Sequence, residues 1–248
     1  MPMRDLFLVD GSVGIEILDW LIESNRENLW KVIHLNRKDI IGKCESVGVP
    51  HSSWQEFIEL TACEESYDRG FCIWWPHILN KKQIEQPRYG FFNLHPSLLP
   101  FQRGKGTSFW NLVEETPFGV TIHRISEEVD SGEIVAQRQI PKSWEDTGGS
   151  LAKKSQTELI ALFKEIYPEL SSNRSKSTRV MENSGSFHKL DDLIKKSTLS
   201  LEELISVRDL LNLLRAKMHP DFSGCIFEDS GHMYEVQISI RRISQDDN

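Results

Sequence analysis

Residues 90–104 read GFFNLHPSLLPFQRG, and this stretch decides the fold prediction. Gly90–Leu94 is a short apolar run of the kind found in buried β-strands. Asn93 and His95 lie two positions apart, so an extended strand end points both side chains to the same side. Two prolines then impose a fixed loop. Because ligand sites in open parallel sheets collect beyond the carboxyl ends of strands, the stretch predicts a buried strand with a polar site at its end.

The chain before this strand alternates between strand and helix patterns. Apolar runs at 5–9, 30–35 and 70–75 predict buried strands, and helical spacing of apolar residues predicts a helix over about 14–24. Short alternation of this kind favours a parallel sheet with right-handed crossovers. The glycines of the turn after the first strand could cradle a phosphate, but a plain strand-to-helix turn is the preferred interpretation.

The chain after the motif predicts two further strands and a helix. Residues 118–124 and 133–139 alternate as paired strands around the turn Asp130-Ser131-Gly132, and a helix over about 150–170 is predicted to end at Pro168. The predicted fold class is therefore α/β, an open, mostly parallel twisted sheet with flanking helices.

The carboxyl-terminal part differs in composition. Residues 171–185 are polar and predict a linker or exposed loop. Beyond them, the pattern predicts a helix over 199–214, a β-hairpin of 222–227 with 233–240, and a frayed tail after Ser244. We therefore predict three parts, which are a large α/β domain (1–170), the linker (171–185) and a small helix and β-hairpin region (186–248).

The composition bounds the class of protein. With 39% hydrophobic and 27% charged residues, the 248-residue chain is typical of a soluble globular protein. Its net charge of −8 disfavours a nucleic-acid partner. The four cysteines, at 44, 63, 72 and 225, match no zinc pattern and are predicted to be buried free thiols. The chain shows neither a signal peptide nor an apolar run long enough for a membrane span, so we expect a cytoplasmic protein without membrane contact.

Three residues of the motif and the later turn form a complete catalytic set. A carboxylate such as Asp130 can orient an imidazole, His95 can move a proton near neutral pH, and the amide of Asn93 can donate to a developing oxyanion. Taken singly, each is more often a turn former, a cap or a packing residue. The combination is what points to catalysis, and it requires no metal, since Asn93 and His95 can supply the polarisation.

The stretch NLHPSLLPFQRG with the later acidic turn DSG resembles the catalytic core of the formyltransferase superfamily. The resemblance is strong over roughly 70–140 and implies a Rossmann-like sheet. It implies that Asn93 holds the formyl oxygen, that His95 lies beside the attacking amine, and that Asp130 orients His95. The implied donor is N10-formyltetrahydrofolate, bound largely by main-chain groups. The corresponding contacts here are Trp74, Trp75, Pro76, Ile78, Ile125 and Val129.

Other assignments stay open at this point. Core packing is the alternative for at least one of the two tryptophans. His123 is expected to have a structural role at its strand end rather than a direct chemical one. Arg103, Gly104 and Lys105 could bind a diphosphate, with solvated loop charges as the equal alternative.

The remaining question is the acceptor amine. The carboxyl-terminal segments, such as LLNLLRA at 210–216, resemble those of sugar N-formyltransferases, which implies a nucleotide-linked amino-dideoxy sugar and a homodimer; a packing hairpin without ligand contact is the alternative for the tail. A methionyl-tRNA enzyme needs a larger basic carboxyl-terminal domain. A glycinamide ribonucleotide enzyme usually has a richer phosphate loop and a shorter tail. A folate-binding regulatory protein is the alternative from a different class.

Overall fold

The computed structural model describes residues 2–60, 66–171 and 185–243. The strands are Asp5–Val9 (β1), Leu29–His34 (β2), His51–Ser53 (β3), Arg69–Ile73 (β4), Phe91–His95 (β5), Arg103–Gly104 (β6), Gly119–Arg124 (β7), Ile134–Gln139 (β8), Phe187–His188 (β9), Cys225–Asp229 (β10) and His232–Val236 (β11). The helices are Gly11–Ser24 (α1), Lys38–Val47 (α2), Trp54–Leu60 (α3), Lys81–Ile84 (α4), Thr107–Val113 (α5), Gly148–Ser171 (α6), Leu190–Lys196 (α7) and Val207–Lys217 (α8).

The main sheet has seven strands in the order β3-β2-β1-β4-β5-β7-β8. Strand β1 pairs in parallel with β2 and β4, and β4 pairs in parallel with β5. Strand β5 then pairs antiparallel with β7. The predicted fold class is confirmed: a mostly parallel sheet with flanking helices and a carboxyl-terminal hairpin, β10–β11.

Alternation along the central strands divides the core into two layers. On one face, the ring of Phe71 stacks on Phe7 and Phe92 at centroid distances of 5.0 and 5.3 Å, and Phe163 and Tyr167 of α6 pack on it. The neighbouring positions on β1, β4 and β5 turn the other way, into a cluster that contains Leu6, Leu8, Cys72, Phe91, Phe57 and Leu79. Period-two alternation thus places Asn93 and His95 on the same side as Phe91.

A buried ion pair joins the amino-terminal ends of β1 and β4, at the opposite end of these strands from Asn93 and His95. Arg69 donates two hydrogen bonds to Asp5, one from Nε at 2.9 Å, and the hydroxyl of Tyr167 donates to the same carboxylate at 2.6 Å. Both charged side chains are almost fully buried. Because a buried charge needs a partner, this network ties β1, β4 and α6 together.

The chain divides into two compact units. The first holds the chain up to His95, Thr121–Gln137 and α6 from Leu159; the second holds Pro96–Val120, Arg138–Glu158 and the described residues from 185 onward. In the second unit α8 packs against α5, and the Arg215 guanidinium donates to the carbonyls of Ser143 and Asp146 at 2.8 and 3.1 Å.

Several sequence predictions are wrong in detail. Helix α6 does not end at Pro168 but continues to Ser171. The predicted helix over 199–214 is instead α8, which begins at Val207 after the cap Ser206, preceded by the unpredicted α7. Helix α1 begins three residues earlier than expected, at Gly11. The polar segment before Pro50 contains α2, and β3 and α3 follow it, all three unpredicted.

Other predictions lie partly outside the described residues, which end at 171, resume at 185 and stop at 243. The linker at 172–184, the tail after Ser244 and Cys63 fall there. The other three cysteines are buried and unpaired, as predicted. No helix among the described residues is both long and apolar enough to cross a membrane.

Candidate active site

The site lies where the main sheet changes direction. Strand β5 ends in Asn93 and His95, and the antiparallel register with β7 places Asn93 opposite His123. Residue Asp130 follows β7 on the turn toward β8. The first unit therefore brings together the three residues that the motif singles out, and it adds His123 to them.

One oxygen of Asp130 is the centre of this group. Its Oδ1 lies 3.4 Å from Asn93 Nδ2, 3.5 Å from His95 Nδ1 and 3.6 Å from His123 Nε2. The carboxylate is mostly buried and both imidazoles are almost fully buried. A shielded carboxylate beside an imidazole is an arrangement that general acid–base chemistry uses.

The tautomer of His123 follows from its neighbours. Its Nδ1 lies 2.8 Å from the carbonyl oxygen of Arg124, and because a carbonyl can only accept, Nδ1 carries the proton. In the neutral ring Nε2 is then an acceptor, and it lies 3.2 Å from Asn93 Nδ2. His123 thereby orients the amide of Asn93. This contact is consistent with the predicted structural role of His123, but the sequence did not indicate the partner.

The turn that carries Asp130 is tightly built. Asp130 itself has φ of +50°, a left-handed conformation that costs a non-glycine residue energy. A Cβ at Gly132 would lie 1.8 Å from the carbonyl oxygen of Arg124, so only glycine fits there. The hydroxyls of Ser126 and Ser131, 2.9 Å apart, both donate to the carbonyl of Glu128. The strained backbone is thus held by its surroundings.

The loop after β4 begins with a second left-handed residue. Trp74 has φ of +56°, and its ring covers Gly11, where a Cβ would lie 2.6 Å from Trp74 Cδ1. Trp75 contacts Trp54 edge-to-face at 5.4 Å, and Trp54 stacks flat on His77 at 5.5 Å. Trp74 and Trp75 therefore serve packing in part. The Trp54–His77 stack was not anticipated because α3 was not predicted.

These loops suit a flat heteroaromatic ligand held by main-chain groups. Among the described residues, the backbone of 76–79 makes no backbone-to-backbone hydrogen bond, which leaves its polar groups for other partners. The side chain of Ile78 is 77% exposed. Ile125 packs against the apolar cluster and Val129 is half-buried. Unengaged main chain beside apolar side chains is an arrangement that can bind such a ligand.

Cys72 is the register partner of Asn93 and so lies next to the site. Burial raises the pKa of its thiol well above the ordinary value, so the sulfur stays neutral and unreactive. Within the described parts of the chain, no cluster of three or more His, Cys, Asp or Glu side chains is arranged to hold a metal ion.

The predicted substrate residues Arg103, Gly104 and Lys105 belong to the second unit. Arg103 and Gly104 form β6, which pairs with β9 of the carboxyl-terminal segment. Gly104 has φ of +89° and Gly106 has φ of +75°, so the backbone of this loop contains two residues in conformations that favour glycine. The guanidinium of Arg103 lies 6.0 Å from the ring centre of Phe187.

Comparison with known proteins agrees with this architecture. Residues 58–166 match the family model "Formyl transferase", and residues 192–242 match the model "N-formyltransferase dimerization C-terminal domain". These two stretches of the chain are therefore similar in sequence to formyltransferases. The fold is also similar to that of solved N-formyltransferases over most of the chain.

A 4-N formyltransferase from Francisella tularensis matches with a TM-score of 0.83 at 19% identity, covering 97% of this chain and 99% of the other. An N-formyltransferase from Helicobacter canadensis, solved with folinic acid and dTDP-3-aminofucose, matches with a TM-score of 0.68 at 18% identity, covering 86% and 80%. At such identities the likeness concerns the fold.

Curated relatives match over shorter stretches. The bifunctional polymyxin resistance protein ArnA of Wigglesworthia glossinidia brevipalpis is 32% identical over 155 residues, which is 60% of this chain and 23% of ArnA. A methionyl-tRNA formyltransferase of Agathobacter rectalis is 40% identical over 82 residues, 33% of this chain and 26% of that enzyme. The chain thus spans about a quarter of the length of these relatives.

Proposed function

We propose that the chain transfers the formyl group of N10-formyltetrahydrofolate to the amine of a nucleotide-linked amino-dideoxy sugar. The observation that carries the proposal is the convergence of Asn93, His95 and His123 on one carboxylate oxygen of Asp130. An oriented amide, an imidazole and a buried carboxylate are the groups that acyl transfer to an amine uses. They lie on a domain that matches the formyl transferase model.

N10-formyltetrahydrofolate supplies the formyl carbon, whose bond to N10 breaks as the new amide bond forms. In the proposal, His95 accepts the proton that the attacking amine loses, and it later returns a proton to the departing N10. Asp130, 3.5 Å from His95 Nδ1, stabilises the imidazolium between these two transfers.

Asn93 is proposed to donate a hydrogen bond to the formyl oxygen as that oxygen gains negative charge. Both acceptors near its Nδ2, at 3.2 and 3.4 Å, are farther than the usual 2.9–3.0 Å of a good N–H···O bond. A developing oxyanion is the stronger acceptor, so it can take one of the two amide hydrogens. His123 keeps the amide turned with its nitrogen inward.

The donor site proposed here lies between residues 74–79 and 125–129. The unengaged main chain of 76–79 would hold the pterin, with Ile78, Ile125 and Val129 as apolar walls and Trp74, Trp75 and Pro76 shaping the loop. Arg103, Gly104 and Lys105 are proposed to bind the diphosphate of the acceptor.

Our first candidate for the acceptor is dTDP-4-amino-4,6-dideoxyglucose, destined for a surface polysaccharide such as an O-antigen. The fold likeness to sugar N-formyltransferases supports the sugar class, and the structure from Helicobacter canadensis contains a dTDP-linked amino sugar. The net charge of −8 disfavours tRNA as the acceptor. We further propose a cytoplasmic homodimer, supported by the match of 192–242 to a dimerization domain.

The experiment is a turnover assay with N10-formyltetrahydrofolate and a panel of amines. The panel contains dTDP- and UDP-linked 3-amino and 4-amino sugars, glycinamide ribonucleotide and methionyl-tRNA. We expect release of tetrahydrofolate with a sugar nucleotide only. Turnover with glycinamide ribonucleotide or tRNA instead would replace the acceptor class, and folate binding without turnover on any amine would indicate a regulatory protein.

Two variants test the catalytic roles. His95→Ala and Asp130→Ala should each lower kcat by about 10²–10⁴-fold, because the first removes the proton-transfer group and the second removes the carboxylate that stabilises its charged form. Binding of the sugar nucleotide, measured by calorimetry, should change little. Wild-type kcat in either variant would remove that residue from the mechanism.

A further inference from the structure

A short strand from the carboxyl-terminal segment holds the loop that carries Arg103 and Lys105. The N–H of Arg103 donates to the carbonyl of Ser186, and the N–H of Lys105 donates to the carbonyl of His188, both at 2.9 Å. The two main chains approach so closely at Gly104 that a Cβ there would lie 2.3 Å from the His188 oxygen. A two-residue strand pair is too short to be stable on its own, so other contacts must maintain it.

Glu114 supplies those contacts. Its Oε1 accepts from His188 Nε2 at 2.6 Å, and its Oε2 accepts from Ser186 Oγ at 2.7 Å and from Gln102 Nε2 at 3.0 Å. One carboxylate therefore grips both the carboxyl-terminal segment and the residue that precedes Arg103. The side chains of Glu114 and His188 are three-quarters buried or more, and charge-assisted bonds are about twice as strong as neutral ones.

Trp110 completes the arrangement. Its ring stacks on the imidazole of His188 with 3.8 Å between centroids and 8° between planes. Trp110 is buried, with 8% of its surface exposed. Among the described residues, its Nε1 nevertheless has no hydrogen-bond partner. The flat face of the ring, rather than its N–H, is what His188 uses. We call Glu114, His188 and Trp110 the brace.

We propose that the brace consists of positioning residues, which hold Arg103 and Lys105 in place for the diphosphate of the acceptor. The inference rests on the proposed function. A loop that is already ordered loses less conformational entropy when the ligand binds. The brace should therefore raise the affinity for the acceptor. Because β9 lies just before residues 192–242, which match the dimerization domain, acceptor binding also depends on the carboxyl-terminal segment.

The central test compares Glu114→Gln with Glu115→Gln. A glutamine at 114 has one acceptor oxygen in place of two and no charge, so it cannot satisfy His188, Ser186 and Gln102 together. We expect the KM for the acceptor, and the Kd for dTDP alone, to rise about tenfold or more, while kcat and the folate KM stay within about twofold. Glu115, exposed and paired with Arg208, is the adjacent control and should leave all four constants unchanged.

Two further variants separate positioning from general stability. Trp110→Phe keeps an aromatic face on His188 and removes the unpartnered N–H, so it should retain acceptor affinity, whereas His188→Ala should lose it. Amide exchange at Arg103 and Lys105 should quicken in Glu114→Gln and His188→Ala without a general loss of protection. A lowered Tm with an unchanged acceptor KM and dTDP Kd would overturn the inference.

The outcomes also distinguish the inference from the function on which it rests. If the wild-type chain formylates a sugar nucleotide but Glu114→Gln leaves its KM and the dTDP Kd unchanged, the positioning role is wrong and the proposed function stands. If the wild-type chain neither formylates any sugar nucleotide nor binds dTDP, the proposed function fails and the positioning role fails with it.

Discussion

Asn93 Nδ2 lies 3.2 Å from Nε2 of His123, the nitrogen that the carbonyl of Arg124 leaves unprotonated. The antiparallel register of β5 and β7 places these two residues opposite each other. If the side-chain amide of Asn93 flipped, its oxygen would face the imidazole acceptor and the hydrogen bond would be lost. The NH2 group of Asn93 therefore keeps one orientation. The histidine therefore sets which atom of Asn93 meets the reaction.

The first prediction concerns this contact. His123→Ala should lower kcat about 10–100-fold, because Asn93 loses the acceptor that orients it, while the KM values for donor and acceptor should change less than about threefold. His123→Gln offers a carbonyl oxygen in place of Nε2 and should recover part of the rate. Equal kcat values for the alanine variant and the wild type in steady-state assays would contradict the orienting role.

The second prediction uses the left-handed backbone of Asp130. Asparagine tolerates φ near +50° and has nearly the same shape, so Asp130→Asn should retain or slightly raise the Tm. It removes the negative charge between His95 and His123, so kcat should fall about 100-fold or more. Thermal melts and turnover measured on the same sample check this opposition. A large loss of Tm would mean that the charge, and not only the shape, holds the turn.

The third prediction concerns the buried pair Asp5 and Arg69. Asp5→Asn should lower the free energy of unfolding by about 3–5 kcal/mol, because the Arg69 guanidinium stays buried without its charge partner. The double variant Asp5→Leu with Arg69→Met should recover much of this loss, since neither buried charge remains. Urea denaturation measures both. A double variant less stable than Asp5→Asn would show that the pair contributes net stability.

The fourth prediction is a pH dependence of stability from His34. Burial, and then the neighbouring His51, lower the pKa of His34 below its ordinary value of 6.5. The N–H of Asn36 donates to His34 Nδ1, so Nε2 carries the proton and donates to His51 Nδ1 at 3.0 Å. Protonation at Nδ1 would break the bond from Asn36. The fold therefore prefers the neutral ring.

The sign follows from proton uptake. Above about pH 6.5 His34 is neutral in both states; as the pH falls toward the lower folded pKa, only the unfolded chain takes up the proton, so stability decreases. His34→Gln should show a smaller loss of unfolding free energy between about pH 7 and pH 5 than the wild type. His232→Gln, at an exposed position, is the control and should parallel the wild type. Parallel curves for all three would contradict the assignment.

The central strands were predictable because their burial is written in short apolar runs. Strands β1, β4, β5 and β7 are buried along almost their whole length. The edge of the sheet formed by β3 could not be predicted in this way. Strand β3 has three half-buried residues, and only Ile40 and Cys44 of α2 are buried, so neither element has the apolar periodicity that predicts it.

Pro168 shows how tertiary contacts override a local rule. A proline inside a helix costs about 3 kcal/mol or more, which is why the sequence predicts an end there. The residue before it, Tyr167, is fully buried against Phe7 and Phe71 and donates to Asp5, and Leu170 beyond it is buried too. Those contacts hold the last turn of α6 in helical form.

For the site, local spacing predicted the shared side of Asn93 and His95, and the turn chemistry placed Asp130 after a strand. The contact between Asn93 and His123 depends on an antiparallel register, and the contact between Glu114 and His188 joins distant parts of the chain. Neither leaves a trace in a single sequence, because only folding brings the partners together.

The hydrogen bonds of Glu114 to the carboxyl-terminal segment affect how the acceptor specificity could be redesigned. The loop around Arg103 and the strand at Phe187–His188 are separate in sequence but form one hydrogen-bonded piece. A chimera that imports only one of them from another enzyme would join mismatched halves. Exchanging both segments together with residue 114 would preserve these hydrogen bonds. Asn93, His95 and Asp130 could then stay unchanged.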